Sequence, residues 1–199
     1  MTQIAIIYHS GFGHTAVLAA EVAHGVEAAG GVPTLLAIEP GQTNFDDVFA
    51  VAAQSDAIVF GSPTYMGTVS GPMKMFMDAS SAPYFVKAWK DKIAAAFTVS
   101  ASPSGDKLNT LTTLAIFAAQ HGMIWIGTGQ NPGNNDDSSA AVDNENRLGS
   151  FLGAMAQAGH DSPDVTPKAG DRATAQSLGQ RVTLAAARWR LGSRDAAAA

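Results

Sequence analysis

No cysteine occurs anywhere in the 199-residue chain. Disulfides, thiolate metal sites and every mechanism with a cysteine nucleophile are thereby excluded. Charge is also sparse: 12 basic and 17 acidic residues leave a net charge of −5. That balance argues against nucleic acid as the main partner, because neutralising phosphates takes clustered Lys and Arg. It is equally too mild for a protein that docks by charge alone. No apolar run approaches the roughly 18 residues of a membrane span. The opening "MTQIAIIYHS" enters a strand at once, without the basic stretch, apolar core and cleavage site of a secretory leader. The cytoplasm is therefore the expected compartment. Five scattered histidines offer no metal-ligand spacing, and no metal is expected.

What is present is an alternation. Short runs rich in Val, Ile and Phe read as strands at Ile4–Tyr8, Thr34–Ile38, Ala57–Phe60, Ile93–Val99 and Met123–Ile126. Between them lie segments of helical period. In the first, Leu18, Val22, Val26 and Ala29 form a stripe, ended by Gly30–Gly31 and Pro33. Others span Phe45–Gln54, Ser70–Ser80 and Lys107–Gln120. A last helix begins near Asp171, with Leu178, Val182, Ala185 and Trp189 on one face and Arg188 and Arg190 expected in its final turn. The pattern predicts an α/β three-layer sandwich around a five-stranded parallel sheet. Its expected order is the flavodoxin-like 2-1-3-4-5, in which ligands sit beyond the carboxyl ends of strands 1 and 3. One domain is expected over residues 1–192. The segment 127–170, containing "GQNPGNNDDSS", reads as a long irregular insertion, and "SRDAAAA" at 193–199 as a disordered tail.

Three loops on the predicted carboxyl edge carry the chemistry. The first strand runs into "YHSGFGHTA", residues 8–16. A small-residue turn before a helix presents unsatisfied N–H groups and a partial positive charge, which favour phosphate. Ser10 and Thr15 add hydroxyls, Gly11 and Gly13 allow a tight turn, and His14 is a further donor. The loop lacks the "GK[ST]" of a Walker motif and the spacing of "GxGxxG". After the third strand, "PTYMG" (Pro63, Thr64, Tyr65, Met66, Gly67) exposes a strip of peptide groups suited to the polar edge of a flat heterocycle. Tyr65 and Met66 supply stacking or apolar surface there. After the fourth strand comes "SASPSG" (Ser100, Ala101, Ser102, Pro103, Ser104, Gly105). Three such loops on one rim suit a planar ring with a phosphate tail, which is FMN.

These motifs also carry a resemblance. "YHSGFGHT", "GSPTYMGTVSGPMKMFMD" and "AAQHGM" make the chain similar to the flavodoxin-like NAD(P)H:quinone oxidoreductases, historically called tryptophan-repressor-binding proteins, within the NADPH-dependent FMN reductases. The resemblance covers about residues 3–126. It implies that Ser10, Phe12, Gly13, His14 and Thr15 hold the FMN phosphate, that Pro63 to Gly67 line the isoalloxazine, and that Ser100 to Gly105 run past the ring and ribityl chain. It implies a flavin-side role for His121, orienting an acceptor or giving it a proton. Tyr84 falls where the family usually has a tryptophan that reaches a neighbouring subunit's active site. NAD(P)H as co-substrate, a quinone-like acceptor and a homo-oligomer, dimer or tetramer, are implied as well. Tyr65 stands where an arginine is common, Met66 replaces an aromatic residue, and Pro103 interrupts a glycine-rich stretch.

Other readings stand beside these. His121, at a helix end before Gly122, equally suits carbonyl capping. Met73, Phe76 and Met77 share a helix face and are expected in the core. Tyr84 and Trp89 are either packing aromatics or an exposed pair at an oligomer interface. In function, a flavodoxin-type electron carrier and an FMN, azo- or nitro-reductase are the alternatives to quinone reduction.

Overall fold

The first strand, β1 (Gln3–Tyr8), shows how the sandwich is assembled. Side chains alternate across a strand, so Ile4 and Ile6 enter one apolar layer while Ala5 and Ile7 enter the other. Both faces are covered, and β1 is apolar on both. The computed structural model describes residues 1–198, with side chains described through residue 192.

The elements follow as α1 (His14–Ala28), β2 (Val32–Ala37), α2 (Asp46–Gln54), β3 (Ala57–Tyr65), β4 (Thr68–Val69), α3 (Gly71–Ala79) and α4 (Ser81–Phe85). Then come β5 (Ile93–Ser100), α5 (Lys107–Gln120), β6 (Ile124–Trp125), β7 (Ala154–Gln157) and α6 (Ala169–Ala198). The strands pair in the order β2-β1-β3-β5-β6, all parallel. Skipping the short β4, this is the expected 2-1-3-4-5. One layer is built by Leu18, Val22 and Val26 of α1 with Leu178 and Val182 of α6. The other holds Phe45, Phe60, Met73, Phe76, Trp89, Leu114 and Phe117.

Several boundaries differ from the sequence reading, each for a tertiary reason. Pro33 does not precede the second strand but lies inside it, paired opposite Ile4. Because β2 is the sheet's outer strand, a residue without an N–H is tolerated there. The fifth strand position is shared by two pieces. β6 pairs with Ile93–Ala94 and β7 with Phe97–Ser100 of the same strand. The segment 127–153 thus loops out of one strand position, and ordered β structure resumes at Ala154 inside the stretch read as irregular. Arg188 and Arg190 do not end their helix, since α6 continues to Ala198. Arg190 instead reaches the carbonyl of Met1 and the Asp56 carboxylate. The tail expected at 193–199 lies outside the residues whose side chains are described.

The aromatic pair also divides. Trp89 is fully buried, stacked on Phe76 with ring centroids 6.3 Å apart, whereas Tyr84 is 38 % exposed. Met73 and Phe76 are core, as their spacing predicts.

Candidate functional site

At the carboxyl edge of β1, β3 and β5 the three loops converge on a cleft of about 570 Å³. Its walls include Phe12, His14 and Thr15 from the first loop, Pro63, Thr64 and Tyr65 from the second, and Val99, Ser100 and Ala101 from the third. A fourth wall, Ala158–Pro163, was not anticipated. It follows β7, so the strand that resumes at Ala154 delivers it to the same edge. The alternation in "GAMAQA" was the available signal for that strand.

The end of the cleft at the head of α1 is built by backbone. Gly13 precedes α1 with φ +89° and no side-chain cap, leaving first-turn N–H groups oriented along the helix axis. The Ser10 hydroxyl accepts from Ala16 N–H at 3.1 Å, which ties the loop to its helix. Both glycines of the loop face close neighbours. A Cβ on Gly11 would fall 2.3 Å from the Tyr65 hydroxyl, and one on Gly13 2.5 Å from the Pro163 ring. His14 does not stand free to donate with both nitrogens. Its Nε2–H reaches the Asp161 carbonyl at 2.8 Å and fastens the fourth wall to the first. From the other side, Arg172 donates to the carbonyls of Pro163 and Pro167.

The opposite end rests on a threonine relay. Thr98 gives its hydroxyl proton to the Ser62 carbonyl at 2.7 Å. It therefore accepts from Thr64 at 2.9 Å, and Thr64 in turn accepts from Thr110 at 2.8 Å. The relay fixes the base of the Pro63–Gly67 strip to β5 and α5. At the tip, Met66 and Gly67 have φ +47° and +87°, the geometry of a two-residue hairpin turn. That turn sends β3 back as β4, pairing Tyr65 with Thr68. Asn109 of α5 donates to the Gly67 carbonyl at 2.8 Å. Left-handed backbone at Met66, a non-glycine residue, costs about 1–2 kcal/mol, and its side chain is fully exposed. Tyr65 spans the mouth, edge-on to Phe12 with centroids 6.3 Å apart.

Not every expected residue joins the cleft wall. Ser10, Gly13, Met66 and Gly67 are not among its lining residues. In the third loop Ser100 and Ala101 line it, and Ser102, Pro103, Ser104 and Gly105 do not. Behind this loop lies Lys107, which sequence reasoning missed: its buried ammonium donates to the Ser100 hydroxyl and the Ser102 carbonyl. Nothing in the sequence singles out a lysine at a helix start as buried.

His121 is not brought to this cleft either. It follows the carboxyl end of α5 and precedes β6, which puts it at the sheet's opposite edge. There it shares a second depression of about 410 Å³ with Lys74, Asp78, Ser80 and Tyr84. Its ring lies on Trp89, centroids 4.2 Å apart, and edge-on to Tyr84 at 5.9 Å. Ser80 gives its proton to the Met77 carbonyl, so the His121 Nε2–H donates to Ser80 Oγ at 2.9 Å. Nδ1 is then a bare acceptor, without a partner among the described residues. Burial, aided by Lys87, pushes the imidazole down to about 4. A neutral ring whose one N–H is committed to Ser80 presents only its Nδ1 lone pair.

A pH prediction follows. The folded His121 pKa lies below its unfolded value near 6.5, so the unfolded chain binds more protons in that interval. The stabilisation is complete above pH 6.5 and is lost as pH falls towards 4. Denaturant unfolding should show a loss of about 1.5 kcal/mol from this group between pH 6.5 and 5. His121→Gln should flatten that slope; an unchanged slope would show that the imidazole titrates normally.

The chain is similar to several known proteins. The model of the NADPH-dependent FMN reductase family matches residues 12–137. A flavodoxin, FldP, from Pseudomonas aeruginosa is 36 % identical over 182 residues, 92 % of this chain and 95 % of its own. An NAD(P)H dehydrogenase (quinone) from Archaeoglobus fulgidus is 31 % identical over 201 residues, 92 % of this chain and 96 % of its own. Among solved structures, a WrbA-like flavodoxin from Agrobacterium tumefaciens superposes with TM-score 0.73 at 37 % identity, covering 94 % of this chain and 99 % of that one. A glycine-capped helix terminus at one end and a peptide strip backed by a fixed relay at the other fit a phosphate-tailed planar cofactor. With a cleft of this build and a family match over most of its length, the chain belongs to the NADPH-dependent FMN reductase family of flavodoxin-like FMN proteins.

Proposed function

We propose that the protein is an FMN-dependent NAD(P)H:quinone oxidoreductase, carrying two electrons to a quinone or similar small acceptor. The supporting observation is the cleft itself, open to a planar guest between the Tyr65 strip and the Ser100 loop, with the apolar Phe12 exposed in its wall. The name of the Archaeoglobus relative points the same way. Bound FMN supplies the chemistry, accepting hydride from NAD(P)H and releasing two electrons to the acceptor.

The chain's own residues bind, orient and shield. Ser10, Gly13 and the first turn of α1 hold the phosphate, with Thr15 beside them. Peptide groups of Pro63–Gly67 and of Ser100–Ala101 orient the ring edge, and their fixed dipoles favour added negative charge. Tyr65 and Phe12 exclude water from the mouth. Tyr84 and His121 lie at the far edge of the sheet, so they act across an interface in a homo-oligomer, dimer or tetramer. Tyr84 meets the partner's cleft there, and His121 holds the Tyr84 ring. The protein works in the cytoplasm, on a small-molecule acceptor and not on nucleic acid.

The test is the absorption spectrum of the purified protein before and after NADH or NADPH. A yellow protein, bleached directly by one of them and reoxidised stoichiometrically by benzoquinone, is the expected result. A colourless protein that does not take up added FMN would end this reading. The FldP relative favours a second one, a flavodoxin-type carrier. A carrier would be bleached only when a separate reductase is added. Azo dyes, nitroaromatics and free FMN assayed beside benzoquinone distinguish the reductase alternatives.

A further inference from the structure

We propose that Lys107, buried behind the Ser100–Gly105 loop, is a positioning residue whose fixed positive charge makes the bound flavin easier to reduce. The proposal rests on FMN occupying the cleft as described above.

Lys107 lies in the first turn of α5 with no exposed surface. Lysines are almost never fully buried unless paired, yet here neutral oxygens hold the ammonium. It donates to Ser100 Oγ at 2.9 Å and to the Ser102 carbonyl at 2.7 Å. Its own N–H reaches the Ser104 carbonyl at 3.3 Å. The loop is wound around it tightly enough that a Cβ on Gly105 would lie 2.1 Å from Ser100 Oγ. Ser100 is itself part of the cleft wall, so one hydroxyl separates the cation from the site.

The charges that bear on Lys107 are Asp171 of α6 and Arg147 of the 127–153 segment. Those two neutralise each other through a bidentate pair at 2.8 and 2.7 Å. Gln157 of β7 completes the support, its N–H donating to Asp171 and its side-chain amide to the Ala101 carbonyl. The net charge behind the loop is therefore about one positive unit. Burial pulls the ammonium down to about 8, with Asp171 raising it and Arg147 lowering it further, so it stays protonated at neutral pH.

Hydride carries one proton and two electrons, so the cofactor gains one negative charge when NAD(P)H is oxidised. A buried cation stabilises that charge more than an exposed one, because little water screens it. Stabilising the reduced form raises the midpoint potential.

The experiment is equilibrium reduction of the FMN-loaded, full-length protein against a reference dye, for wild type and Lys107→Met. The variant's two-electron equilibrium should shift at least tenfold towards oxidised flavin, about 30 mV. Equal potentials, even with weakened FMN affinity, would overturn the charge role and leave Lys107 a structural peg. If the variant does not fold or loses FMN, the wild type decides through its own pH series. The potential should fall more steeply above pH 8, where Lys107 loses its proton, and a straight line through that region would overturn the proposal. A wild type that takes no FMN at all would instead sink the underlying assignment.

Discussion

Replacing Gly13 with valine should leave the chain folded but lower its FMN affinity by about two orders of magnitude. Two costs combine. The residue sits at φ +89°, where an L side chain loses about 1–2 kcal/mol and a β-branched one more. Its Cβ would also lie 2.5 Å from the Pro163 ring, so relief requires moving the fourth wall off the cleft. A total near 3 kcal/mol corresponds to about a hundredfold in affinity. Because the strain lies at the head of α1 and not in either apolar layer, the FMN-free loop can relax from it, and the apoprotein should still unfold cooperatively with near wild-type stability. Fluorescence titration of FMN measures the affinity, and a thermal melt of the apoprotein separates binding from folding. Unchanged affinity would mean that the phosphate is not held at this helix.

The second large effect is on the fold. Gly179→Val should destabilise the protein by about 3 kcal/mol or more, lowering the melting temperature by about 10 °C. Helices α1 and α6 meet through backbone rather than side chains. A Cβ on Gly179 would fall 2.1 Å from the Val22 carbonyl oxygen, and one on Gly25 1.9 Å from that of Gln176. Real Cβ atoms do not approach backbone so closely, and backbone in a helix cannot rotate aside, so the helices must part. Parting them opens the layer of Leu18, Val22, Leu178 and Val182, all buried at 1 % exposure or less. Gly192→Ala is the control, since nothing lies within 4 Å of its Cβ position. It should be neutral or slightly stabilising. A Gly179→Val protein as stable as wild type would show that the two helices are not in backbone contact.

How much was legible can be judged residue by residue. The "YHSGFGHT" turn was readable because small residues between an apolar run and a helical period leave few local alternatives. "PTYMG" was readable for the same reason, although the relay beneath it was not: Thr64, Thr98 and Thr110 are separated in sequence by 34 and 46 residues from Thr64. The "AAQHGM" motif singles out His121, and only the path of α5 across the sheet decides that it lies at the edge away from this chain's own cleft. A motif records neighbours along the chain, whereas a helix of 14 residues spans about 21 Å at 1.5 Å per residue.

By itself the sequence determined the layers, the strand order and which loops lie on the carboxyl edge. Apolar period, turn residues and the right-handed crossover are local properties that act within a few neighbours. Tertiary structure alone decided that the last strand position is split, that Ala158–Pro163 closes the cleft, and that Lys107 is buried behind it. Those outcomes depend on which distant groups meet to satisfy a charge or a carbonyl once water has been excluded, and no local pattern encodes that meeting.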